Sequence, residues 1–258
     1  MIKSHPARGG TDTLENLQQL APAIRSSKKP PENNAIRLKA IRDTAQTIGA
    51  QAGLAWRSRQ INAVLHQQSK NLDRIFDFNS MLLDNNVLPP VLEEGSQDLH
   101  IDNESAIRLA DRSYQIVKQA RFVSAAPNWR SYLWMNFSPP QRPNATLLPK
   151  DEEEQKIWAE YVEQGWHEGI KQANDIYDAN LARAKRDLKG MVIYRQLLAQ
   201  HIVSPPYVAR ARLGVTGGGQ SLRVNDQVLR ITALPQLQAN SHFWQPVISP
   251  TDPKKQVR

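Results

Sequence analysis

The chain has 258 residues, 40% of them hydrophobic and 22% charged, enough to bury a core as one large or two modest domains. Its formal charge of +8 and pI near 9.8 favour acidic surroundings, whether nucleic acid, anionic lipid headgroups or an acidic partner. With no cysteine, disulfides, thiolate zinc sites and cysteine nucleophiles are excluded, and no apolar run reaches the roughly 18 residues that a membrane-crossing helix needs.

Taken in order, residues 1–32 begin MIKSHPARGG, without the apolar core of a signal peptide. They read as a flexible or extended arm whose Leu14, Leu17 and Leu20, three apart, can dock on the body or a neighbour. From Asn33 or Asn34 a helical period begins with Ile36, Ile41, Ala45, Ile48, Ala52 and Ala55 and persists to about Val87, as one helix or a pair. The consecutive prolines of LPPVLEEG, Leu88, Pro89 and Pro90 among them, forbid helix and suggest an extended strut. A third helix is expected from Asp102 or Asn103 to about Arg121, with Ile107, Ala110, Tyr114 and Val117 on one face. The following segment crowds Trp129, Tyr132, Trp134 and Phe137 before it dissolves into prolines. Aromatics so dense either anchor a loop to a core or form a partner surface.

The longest proline-free run, Asp151 to about His201, reads as one helix of about 75 Å if unbroken. Asp151 is placed to cap it, Glu152, Glu153 and Glu154 sit at its positive end, and Lys185, Arg186, Lys189 and Arg195 crowd toward the other. Gly165, Gly169 and Ala173 stand four apart, leaving one edge almost bare, and Ala45, Gly49 and Gly53 repeat the spacing earlier in the chain. Glycine costs a helix roughly 0.5–1 kcal/mol against alanine, so matched glycines suggest a backbone contact between these two edges, with hinges as the blander alternative. A bend is expected near Gly165 to Gly169 or at Gly190. After Pro205 and Pro206, the segments YVARARLGV, QSLRVND and QVLRITAL alternate as a small antiparallel meander, with a turn at Asn225-Asp226. The unpaired edges of this sheet, from Tyr207 onward, are the third candidate partner surface.

The chemistry-bearing motifs are weak. Gly214 to Ser221 resembles a phosphate-binding loop, but Gln220 stands where the lysine belongs and a strand follows in place of a helix. The six histidines show no metal spacing, and Glu93-Glu94 are neighbours on an extended segment, which points them apart. No nucleophile, base and orienting group assemble, so the expectation is a protein without enzymatic activity, cofactor or metal. The architecture expected is α+β and predominantly helical: an arm over 1–32, a helical body over 33–204, a β-meander over 205–235 and an irregular tail over 236–258.

The runs IRDTAQTIGAQAGLAWRSRQIN, IFDFNSMLLDNNVLPPVLEEG, APNWRSYLWMNF, KRDLKGMVIYRQLLAQ and LGVTGGGQSLRVNDQVLRITALP closely resemble the DotC family, over most of the chain after about Pro31. That family includes Dot/Icm type IVB secretion proteins and their relative in IncI conjugative plasmids. The resemblance implies a structural, outer-membrane-associated component of a periplasmic core complex with DotD-like and DotH-like partners, needed to place DotH in the outer membrane, and it carries no catalytic residue. Members have an N-terminal signal and a lipidated cysteine that this chain lacks, so a mature region is expected, with the arm before Pro31 as tether. The residues alone leave open a second class: a basic periplasmic binding protein for DNA, peptidoglycan or anionic lipid. Sequence-specific nucleic-acid binding is not expected.

Overall fold

The computed structural model describes residues 13–20, 34–103 and 106–245. The rest of the expected arm, and the tail beyond residue 245, lie outside the described residues. The order is α1 (Leu14–Gln18), α2 (Asn34–Gln67), α3 (Ser69–Ile75), β1 (Val87–Leu88), β2 (Val91–Asn103), β3 (Ala106–Lys118), β4 (Arg121–Phe122), α4 (Trp129–Leu133), α5 (Glu152–Ala199), β5 (Tyr207–Gly218) and β6 (Ser221–Ala233), with short 3-10 turns between. The class is α+β, dominated by the 34 residues of α2 and the 48 of α5. Two compact units divide the chain, Met1–Ile75 with Trp129–Ala182 and Phe76–Asn128 with Arg183–Arg258. This division interleaves segments that are far apart in the chain, and α5 contributes to both units.

In the first unit α2 packs on the first part of α5. Ile41, Ala45, Ile48 and Ala52 meet Trp158, Val162 and Trp166, and Leu17 and Leu20 close the same core. The leucines of the arm therefore dock on the body, where Trp158 Nε1 donates to Leu17 O at 2.8 Å. The bare helix edges meet. A Cβ on Gly49 would lie 3.0 Å from Trp166 N, one on Gly165 2.9 Å from Ala50 N, and one on Gly169 2.7 Å from Leu54 N, while Gly53 sits against the Trp166 backbone. Ala45 and Ala173 are both fully buried. Because Gly49 faces Val162 and Gly53 faces Trp166, the two helices run in the same direction where they touch. Gly165, Gly169 and Gly190 all lie inside one uninterrupted helix. The first two serve close approach, which is the alternative to a hinge.

The start of α5 is held by its own cap. Asp151 Oδ1 accepts from Glu154 N at 2.8 Å, and Glu154 Oε2 accepts from Lys150 N at 2.8 Å. Glu154 is then enclosed by Arg37, whose Nε and Nη2 donate to its two oxygens at 2.6 and 2.9 Å. Burial alone would raise the Glu154 pKa; the Arg37 hydrogen bond, the Lys150 N–H and the two positive charges together outweigh it and hold the carboxyl below its ordinary range.

In the second unit the last part of α5 supports β2. Leu92, Ile193, Tyr194, Leu197 and Val203 form the core, flanked by Tyr114 and Ile116 of β3. Gly190 again admits backbone, since a Cβ there would lie 2.6 Å from Leu92 O. Lys118 Nζ holds the buried Asp187 at 2.5 Å, and Arg186 Nη2 reaches the same carboxylate at 3.2 Å. The expected helix over residues 102–121 is instead β3, paired antiparallel with β2 from Val91↔Lys118 to Asn103↔Ala106. The three segments expected as a meander form two strands. Gly219, at φ 60°, takes the first central position of the connecting turn, where a two-residue hairpin needs positive φ. Asn225, at φ 58°, makes no turn: it is the extra residue of a bulge between the pairs Gly214↔Asp226 and Val215↔Val224.

Candidate interaction surface

The expected partner residues separate by burial. Leu88, Pro89 and Pro90 are buried, which removes the strut as a docking face. The prolines link two strands: Leu88 pairs with Arg121 in the small β1–β4 sheet, and Val91 and Leu92 pass directly under α5. Their missing N–H groups and fixed φ suit a link that joins no ladder.

The aromatic segment is divided in the same way. Trp129 is buried within the first unit, where its Nε1 donates to Asp73 Oδ1 at 2.6 Å and Arg130 lies 4.2 Å over its ring. It is an anchor of the fold and offers nothing to a partner. The indole and Arg130 bonds also hold the exposed Asp73 carboxyl below its ordinary pKa. Leu133 and Met135 are buried beside it, and Asn62 closes the segment by donating to Met135 O at 2.6 Å and accepting from Met135 N at 3.2 Å. Tyr132 is half-buried. Trp134 and Phe137 remain outside, 47% and 36% exposed.

A further uncovered surface is the β5–β6 hairpin. Nearly every residue of both strands is exposed, including Tyr207 at the base of β5. The register sorts the side chains: Val215 stands opposite Val224 and Leu222 opposite Gly217 on one face, whereas Thr216 opposite Arg223 and Gly218 opposite Ser221 lie on the other. At the base, Val208, Leu229 and Ile231 are half-buried, and Arg210 Nη2 donates to Asn85 Oδ1 at 3.0 Å. Beyond the bulges none of the described residues covers the hairpin, and Val215, Leu222 and Val224 are 64%, 69% and 66% exposed. An isolated two-stranded hairpin is marginally stable in water, so an apolar face without a second layer marks a surface that something else covers.

The sequence points to the edges of this sheet from Tyr207 onward without singling out these outer residues. Tyr207 marks only the foot of the hairpin, and the available signal was the Leu222-Val224 alternation in a segment with no further strand or helix assigned to bury it. The string from Gly214 to Ser221 is strand and turn, followed by strand. Among the described residues no group of three His, Cys, Asp or Glu side chains could hold a metal ion, and no helix is long and apolar enough to cross a membrane.

No curated protein matches the chain. A family model described as type IV secretory system, conjugal DNA-protein transfer, matches residues 35–246, which takes in both long helices, both hairpins and every exposed apolar residue discussed above. With most of its length matched, the chain belongs to this TraI/DotC-like family of type IV secretion proteins.

Proposed function

We propose that this chain is a structural subunit of the outer-membrane core complex of a type IVB secretion system, Dot/Icm-like or IncI conjugative, which scaffolds a DotH-like protein together with a DotD-like one and catalyses no reaction. Proteins of this family belong to a multi-subunit secretion system of the cell envelope. In this reading the chain faces the periplasm at the outer membrane, held there by a lipid anchor as in the DotC proteins it resembles. The observation that carries the reading is the outer half of the β5–β6 hairpin, with Val215, Leu222 and Val224 aligned on one uncovered face. Exposed Trp134 and Phe137 offer a second surface, on the other compact unit.

Co-purification of the DotH-like and DotD-like proteins with the tagged chain from envelope extracts tests this, together with the fractionation of the DotH-like protein to the outer membrane. Leu222→Ser with Val224→Ser is expected to release a partner and misplace the DotH-like protein while the chain stays folded. Unchanged assembly for this variant and for Trp134→Ala with Phe137→Ala would overturn the scaffold reading.

A further inference from the structure

The charge of the β5–β6 hairpin is one-sided. Arg210, Arg212, Arg223 and Arg230 face a single acid, Asp226, whose carboxylate is taken by the Thr216 hydroxyl. Arg212, Arg223 and Arg230 form no ion pair with any described residue. On β6 the exposed residues alternate in kind, with Leu222 and Val224 on one face and Arg223 on the other; past the Asn225 bulge, Arg230 lies on the Arg223 side. The outer edge of β6 is unpaired within the described residues, since β5 is its sole neighbour there.

Resting on the docking reading above, we propose that the β6 edge takes an extended segment of a partner polypeptide in which apolar and acidic residues alternate. A strand laid antiparallel or parallel against β6 satisfies the free backbone groups, sets its apolar side chains beside Leu222 and Val224, and sets its carboxylates beside Arg223 and Arg230. Two other occupants fit less well. A second copy of this hairpin brings four arginines against four, which like-charge repulsion opposes. A lipid bilayer would meet only Val215, Leu222 and Val224 before Arg212 and Arg210 on that same face reached the hydrocarbon, where arginine is costly.

The probe is a synthetic ten-residue peptide of alternating glutamate and valine, compared with its lysine–valine counterpart, added to the full chain. Binding is read by fluorescence anisotropy and by amide hydrogen exchange of residues 221–231. The glutamate peptide is expected to bind and protect these amides, the lysine peptide to bind at least tenfold more weakly, and Arg223→Glu with Arg230→Glu to reverse the preference. That reversal shows in the same measurement that the variant is folded. Equal binding of both peptides, absence of protection in β6, protection that grows with protein concentration without peptide, or binding to phosphatidylcholine–phosphatidylglycerol vesicles in place of either peptide would each overturn the proposal. If Leu222→Ser with Val224→Ser abolishes co-purification while neither peptide binds, docking by the hairpin stands and the acidic-strand proposal fails.

Discussion

Arg37 closes on Glu154 with two parallel hydrogen bonds, Nε to Oε1 at 2.6 Å and Nη2 to Oε2 at 2.9 Å, and the guanidinium also reaches Thr146 O at 2.8 Å. The carboxyl titrates below its ordinary 4.5 in the folded chain. The unfolded state thus takes up the proton first, and the stabilisation is present above about pH 4.5 and lost as pH falls through the lowered value. Glu154→Gln is expected to cost about 2 kcal/mol at neutral pH and to flatten the acid limb of stability. Urea unfolding of both proteins between pH 3 and 7 measures this, and parallel pH profiles would contradict it.

Helix propensity says that Gly49→Ala and Gly165→Ala should stabilise their helices by about 0.5–1 kcal/mol. The packing reverses the sign, because each new Cβ would press into the backbone of the opposite helix. A net loss of about 2 kcal/mol is expected for either alanine, and more for leucine. Chemical denaturation followed by circular dichroism decides it; an unchanged or raised midpoint would show that the two edges are not in contact.

The two tryptophans five residues apart should behave oppositely. Trp129→Ala removes a buried indole and its bond to Asp73, with an expected cost of about 3–5 kcal/mol. Trp134→Ala, at an exposed position, should stay within about 0.5 kcal/mol of the parent. Thermal unfolding of the isolated protein separates them, and equal destabilisation would refute the division of this segment into anchor and surface.

Burial pushes the Tyr194 hydroxyl up to about 12, against a smaller opposing effect of Arg195. The folded state keeps this proton after the unfolded chain has lost it. The contribution is therefore complete below pH 10 and declines from there toward pH 12, by at most about 1.4 kcal/mol per pH unit. Tyr194→Phe, which gives up only a 3.5 Å bond to Ser204 O, should cost less than about 1.5 kcal/mol at pH 7 and narrow its gap to the parent as pH rises from 10 to 12. Stability difference curves of the two proteins over that range provide the check.

The helix pair was legible from residue spacing alone, because glycine four residues apart has few reasons to recur on a charged helix. The β2–β3 hairpin was not. Ile107, Ala110, Tyr114 and Val117 fit a helical face as readily as a strand, so the two-residue period has no clear advantage over the helical one. Among the described residues of β3, Tyr114 and Ile116, near the base, pack on the core beside Leu92. Left-handed backbone at asparagine serves a bulge as well as a corner, so the Asn225-Asp226 pair reads equally as a turn. The aromatic segment carried no signal to tell Trp129 from Trp134, since the acceptor that buries Trp129 lies on Asp73, 56 positions away.

The interleaving of the two compact units also sets a timetable. A polypeptide delivered N-terminus first offers α2 early, yet Arg37 finds Glu154 only 117 positions later, and the tryptophans that cover Ile41 and Ile48 arrive after the whole β2–β3 hairpin has been made. Until then the glycine edge of α2 is an uncovered seam. The core of the first unit therefore cannot close until residues up to about Ala182 are available, and whatever handles the nascent chain has to keep that seam from closing on the wrong helix.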